Sequence, residues 1–132
     1  MSFVLDACAM IAFLKDEPGA EVVESILTNE ICMVHAINMC ELHYDFYRAS
    51  DEQTAKQAVH DLLSLGLILR NDMDKNIWQD AGKMKAEIKR ISIADCFAIA
   101  LTRKTGSAII TSDHHEFDPL VDKNICRIVF IR

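Results

Sequence analysis

S-I-A-D-C-F-A-I-A-L, residues 92–101, is the stretch on which the reading of this chain turns. Eight of its ten residues are apolar, and no polar face appears before Thr102, so it reads as a helix buried on every side. Gly106 stops that helix behind Arg103 and Lys104, cations suited to the negative end of a helix dipole. A-I-I (108–110) follows as a strand candidate and runs through Thr111 and Ser112 into Asp113. A buried helix feeding a short apolar strand is the signature of a parallel sheet covered on both faces.

The same alternation extends in both directions. F-V-L (3–5) precedes a helical A-M-I-A-F-L (9–14), which Glu17-Pro18-Gly19 breaks; a helix over about 20–28 then leads to I-C-M-V (31–34). Residues 36–49 are predicted helical, with Ile37, Cys40, Tyr44 and Tyr47 as the apolar stripe. Ser50-Asp51 caps the next helix, striped by Ala55, Val59, Leu62 and Leu63 and ended by Gly66. Leu67-Ile68-Leu69 is a third strand, 74–90 a further helix, and I-V-F-I (128–131) the last strand. The expectation is an α/β chain forming one domain over 1–132, a three-layer α/β/α arrangement around a parallel sheet of about five strands.

Composition bounds the function. A chain of 132 residues that is 51% hydrophobic has enough apolar surface for a core and too much for disorder. No apolar run reaches the roughly 18–20 residues of a membrane span, and M-S-F-V-L-D lacks the basic start of a signal peptide, so a cytoplasmic location is expected. Five scattered cysteines (Cys8, Cys32, Cys40, Cys96, Cys126), without any C-x-x-C pair, read as reduced core residues, not as a disulfide framework or zinc site. The net charge of −6 disfavours a nucleic-acid partner unless the cations are gathered in one place.

Four acids fall where open α/β sheets bind ligands or close to it. F-V-L runs into Asp6 and A-I-I-T-S into Asp113; Asp95 is in the first turn of the buried helix, and Glu41 lies about one and a half turns into the helix after I-C-M-V. Each has an ordinary explanation. Asp6 fits an N-cap, Ser92-x-x-Asp95 fits a capping box, Asp113 fits a turn cap, and Glu41 fits a solvated helix face. As a set they are harder to dismiss, because buried carboxylates sharing one pocket repel unless something positive joins them. No lysine or arginine adjoins Asp6, Asp95 or Asp113 in the chain. A divalent cation satisfies the set, and all-oxygen ligands suit Mg²⁺ or Mn²⁺. Such an ion at the mouth of an α/β sheet points to phosphoryl chemistry with an activated water, and the absence of a glycine-rich loop favours phosphodiester hydrolysis over nucleotide binding.

V-L-D-A-C-A-M-I-A-F-L with E-P-G-A-E, N-M-C-E-L, S-I-A-D-C-F-A-I-A-L and A-I-I-T-S-D-H-H-E-F, in this order and spacing, resemble a PIN-domain ribonuclease of the VapC toxin type. The resemblance implies a five-stranded parallel sheet, a Mg²⁺- or Mn²⁺-dependent endoribonuclease, and an acidic quartet on Asp6, Glu41, Asp95 and Asp113. It also implies a homodimer and a small antitoxin protein lying over the active-site side. Water as the nucleophile would leave 5′-phosphate and 3′-hydroxyl ends on the RNA. Two positions depart from the pattern: Cys8 stands where Ser or Asn is usual, and His35 where Ser or Thr precedes the Glu41 helix. The thiol is a weak hydrogen-bond donor, so a looser ordering of Asp6 is expected. Asp118 is a possible fifth acid, with a turn cap before Pro119 as its simpler role.

An acidic protein that holds RNA needs local cations. Lys83-Met-Lys85-Ala-Glu87-Ile-Lys89-Arg90 has four cations and one anion and runs directly towards Asp95. Lys85, Lys89 and Arg90 are the candidate RNA contacts. Trp78 and Phe117 are expected in the core rather than stacked on bases, and His114 and His115 on a solvated turn. Two other readings fit less of the chain. A PIN-like binding or regulatory module with weak or no nuclease activity would explain Cys8 and His35 but not the retention of four acids. A phosphorylated receiver domain wants paired acids after its first strand, and D-A-C-A supplies one.

Overall fold

A computed structural model describes residues 1–132. The chain runs β1 (Ser2–Leu5), α1 (Ala7–Leu14), α2 (Ala20–Asn29), β2 (Ile31–His35), α3 (Ala36–Ala49), α4 (Glu52–Ser64), β3 (Ile68–Arg70), α5 (Lys75–Glu87), α6 (Ile93–Thr105), β4 (Ala108–Thr111), α7 (His114–Phe117), a 3₁₀ turn (Asp118–Lys123) and β5 (Arg127–Phe130). All strand pairings are parallel and the sheet order is β3-β2-β1-β4-β5. The expected three-layer arrangement is therefore the one observed.

The period of two along a strand produces the layers. Phe3 and Leu5 of β1, Cys32 and Val34 of β2, and Ala108 and Ile110 of β4 face a core completed by α1 to α4. Val4, Met33 and Ile109 face the opposite core, built on α5 and α6 with Phe117 and Leu120. α6 is buried without interruption from Ala94 to Thr102, because the sheet, α5 and α3 all pack against it. The approach of α2 to the end of β5 is equally close. Gly19 has φ +97°, and a Cβ there would stand 2.7 Å from the Ile131 carbonyl oxygen, so both backbone shape and space demand glycine.

Several expectations change in the structure. On α3 the inward residues are Asn38, Met39 and Leu42; Tyr44, Tyr47 and Cys40 point outward, so the stripe predicted there was the wrong face and Cys40 is not a core cysteine. Trp78 is 49% exposed, not core: the buried stripe of α5 is Ile77, Ala81 and Met84, and Trp78 lies one residue, about 100° of helix, off it. α5 ends at Glu87, not 90, which places Lys89 and Arg90 in a turn instead of on a helix. Phe117 is fully buried, as expected. His114 and His115 open the short helix α7, and His114 is fixed by Asp118 (2.7 Å), the Arg132 carbonyl (2.7 Å) and the ring of Phe130.

β1 is central: the chain steps outward from it through β2 to β3, then crosses back to lay β4 against its other side. The carboxyl ends of β1 and β4 therefore flank the crevice where such sheets bind ligands. Asp6 and Asp113 lie just beyond those two ends.

Candidate metal centre

Asp6 caps α1 with one oxygen only. Its Oδ1 accepts from the Ala9 amide at 2.8 Å, while Oδ2 is buried and has no hydrogen-bond partner. The residue is 1% exposed, so that oxygen does not reach bulk water. Asp113 is divided in the same way: Oδ1 accepts from the Glu116 amide at 3.0 Å and caps α7. The capping explanation thus accounts for one oxygen of each aspartate and leaves the other free.

At Asp95 the capping box is half built. Ser92 Oγ accepts from the Asp95 amide at 3.2 Å, the first half of the box. The reciprocal bond, from the acid back to the Ser92 amide, is absent because Glu116 Oε1 occupies that amide at 2.7 Å. The Asp95 carboxylate, in a residue 6% exposed, is released to face the crevice. Ligand oxygens of Asp95, Asp113 and Glu116 all lie within 4.8 Å of one another. Glu41 is half-buried on α3, and its carboxyl is raised by burial first, then by the charges of Asp45, Glu116 and Asp113.

Glu116 has no place in the acidic quartet anticipated from the sequence, yet it belongs to the tightest trio of carboxylates. The available signal was its position three residues after Asp113, which puts it in the first turn of a helix that Asp113 caps. Asp118 is not part of the cluster; it pairs with His114. The structure thus brings Asp95 and Asp113 together with Glu116, with Asp6 and Glu41 around them in mutual repulsion.

No ion pair in the molecule includes Asp6, Glu41, Asp95, Asp113 or Glu116. Burial, opposed by the nearby Thr111 hydroxyl, which is outside hydrogen-bond geometry, and by the Ala9 amide, and assisted by Asp113 and Glu41, pushes the Asp6 carboxyl up to about 7. Asp95 is raised further, first by burial, then by contact with the Glu116 carboxyl and the charges of Asp6, Glu116 and Glu41. Cys8, half-buried in the first turn of α1, has its thiol pushed up by burial and by the same acids, so it remains a neutral, weak donor. His35 serves as the cap that Ser or Thr would supply. Its Nδ1 accepts from the Ile37 amide at 3.1 Å, and Nε2 lies 2.8 Å from the Asp72 carbonyl, a pattern that assigns the proton to Nε2.

A buried carboxylate oxygen without a donor, beside oxygens from three other segments and no cation, fits a hard divalent ion. Linkage gives a test. Asp6 and Asp95 have folded pKa values above their unfolded ones, so the native state holds the extra protons. That stabilisation is complete below about pH 4 and is lost as pH rises through 7 and beyond. Without divalent ions, thermal scans are expected to give a lower Tm at pH 8 than at pH 5. Mn²⁺ at about 100 times its Kd should restore about 2.7 kcal/mol at pH 8 and less at pH 5, where protons compete for the ligands. A metal-free protein more stable at pH 8 would contradict the repulsive cluster.

An α/β domain with acids from four segments converging at the switch point of a parallel sheet is the class that this geometry defines. A sequence model of the PIN domain matches residues 3–120, and the chain belongs to that family. No curated protein matches the sequence. Among solved structures, the DNA-bound VapBC of Salmonella typhimurium is similar with a TM-score of 0.75 at 16% identity, over 100% of this chain and 99% of that one. VapBC-1 of nontypeable Haemophilus influenzae gives 0.74 at 20%, over 99% and 98%. Mycobacterium tuberculosis VapC20, described as a sarcin-ricin loop cleaving toxin, gives 0.70 at 14%, over 89% and 94%. At these identities the likeness establishes a shared fold.

Proposed function

We propose that this chain is a Mg²⁺- or Mn²⁺-dependent endoribonuclease of the VapC toxin type, a single catalytic domain held in check by a small antitoxin. The observation that carries the reading is the convergence of Asp95, Asp113 and Glu116 beside the unpartnered Oδ2 of Asp6, with no lysine or arginine to neutralise them. Membership of the PIN family and the VapBC neighbours support it, and the description of VapC20 supports RNA as the substrate class. No helix is long and apolar enough to cross a membrane, which accords with a cytoplasmic site of action. A homodimer is proposed on the resemblance to that family.

Asp95, Asp113 and Glu116 would hold the ion, with Asp6 and Glu41 completing the pocket. When bound, the ion would activate water and neutralise charge developing on the phosphodiester. The protein's part is orientation. The Ala9 amide fixes Asp6 so that Oδ2 faces inward, and the Ser92 hydroxyl fixes the first turn that presents Asp95. The Ser92 amide, donating to the Glu116 carboxylate, fixes α7 against α6, while the Glu116 amide, donating to Asp113, closes the first turn of α7.

The experiment is incubation of the purified chain with single-stranded and structured RNA in Mn²⁺, with and without chelator, with end-group analysis of the products. Chelator-sensitive cleavage leaving 5′-phosphate and 3′-hydroxyl ends is expected. Glu116→Gln should weaken Mn²⁺ binding in calorimetry by roughly 10- to 100-fold. Tight Mn²⁺ binding without any cleavage would replace the nuclease with a binding or regulatory module.

A further inference from the structure

Lys85 was a candidate phosphate contact, but its ammonium already has partners. Nζ lies 2.6 Å from the Ile91 carbonyl and 3.3 Å from the Lys89 carbonyl. Both carbonyls belong to the turn just beyond the C-terminus of α5, where the helix dipole favours a cation. Lys85 enters no ion pair, so these carbonyls are its polar partners. The next residue of the same turn, Ser92, is held by Glu116, to whose carboxylate its amide donates at 2.7 Å. The turn is thus clamped between a lysine of α5 and a carboxylate of the metal centre. Lys89 and Arg90, between the two clamps, are exposed and form no ion pair or side-chain hydrogen bond that would hold them elsewhere.

From this arrangement we infer that Lys85 is a positioning residue for substrate. It folds the 88–92 turn so that Lys89 and Arg90 form a phosphate-binding rim beside Asp95 and Glu116. The inference rests on the nuclease reading for the identity of the substrate, but not for the clamp itself. Arg90 is two residues from Ser92, whose amide donates to Glu116 at 2.7 Å, so the turn that carries it adjoins the acids. A free turn would carry the same charges with no fixed direction, and binding would then have to order it.

The test compares wild type, Lys85→Gln, the pair Lys89→Gln/Arg90→Gln, and the triple variant. Each is titrated with a single-stranded RNA oligonucleotide in EDTA over a range of salt, and hydrogen exchange is followed at the Ile91 and Ser92 amides, which are hydrogen-bonded. The pair is expected to weaken RNA about ten-fold and to lower the salt slope by roughly 1.4, the value for two lost single-strand contacts, whereas Lys85→Gln should weaken RNA through the cost of ordering the turn and keep most of the slope. The triple variant should bind no more weakly than the pair, because Lys85 acts through the other two. In Mn²⁺ the loss should fall on KM with kcat kept, and exchange at Ile91 and Ser92 should quicken while α6 stays protected.

A triple variant weaker than the pair, with a further slope loss of about 0.7, would make Lys85 a direct phosphate contact and overturn the inference. Unchanged exchange in Lys85→Gln would overturn the clamp. RNA affinity unaffected by the pair would overturn the rim while leaving the nuclease reading in place. Wild type that binds no RNA at any salt would overturn that reading along with the rim, and the exchange data would still decide the clamp.

Discussion

Asp95→Asn is expected to lower RNA cleavage by more than about 100-fold while the protein stays folded. The reason lies in how the side chain is presented. Ser92 caps α6 through the Asp95 backbone amide, which the substitution keeps, and the Ser92 amide is held by the Glu116 carboxylate, which remains. Helix α6 therefore loses no cap. What changes is one charge in a cluster of five acids with no cationic partner. The amide cannot carry the negative charge that a dication requires, so Mn²⁺ affinity should fall together with activity. Stability of the metal-free protein should move the other way at pH 8, because one repelling group has gone. A variant that cut RNA at the parental rate would end the proposed mechanism, and a variant that unfolded would show Asp95 to be structural.

Phe117→Ala is expected to have the largest effect on stability, a loss of about 3–5 kcal/mol in denaturant unfolding. Phe117 is fully buried against α5, α6 and the second face of the sheet, although it belongs to a helix of only four residues. A helix that short has no intrinsic stability. It is held by the Asp113 cap, by this ring and by the bond of its Glu116 carboxylate to the Ser92 amide. Loss of the ring should loosen Glu116 and Asp113 together. Mn²⁺ affinity in the folded variant should consequently fall, although no ligand has been altered. If affinity held at the wild-type value, the ring would be core alone, without a part in arranging the site.

These two positions illustrate what could be read in advance. Asp6 and Asp113 were found because the end of a short apolar run is a local feature, and a sheet of this topology gathers its ligands at such ends. Asp95 was found because a charge in an apolar helix violates the burial pattern around it. The layers followed from the alternation of short apolar strands with helices along the chain, which needs no tertiary information. On α3 and α5 the stripes were less clear. Aromatic residues at helical spacing looked internal, yet Tyr44, Tyr47 and Trp78 face outward while smaller neighbours pack inward.

The sequence by itself determined the kinds of element and their parallel arrangement and singled out four candidate acids, because helix period, strand period and strand ends are properties of a few consecutive residues. Tertiary structure decided which oxygens are free. One Asp6 oxygen is used by a cap and the other left bare; Glu116 takes the amide that would have tied Asp95 down; Lys85 is drawn away from solvent onto a turn. Each of those outcomes is a competition between groups, and the winners at Asp95 and Glu116 come from segments about twenty residues apart. Only the folded chain brings such competitors within hydrogen-bond reach, where distance and burial choose between them.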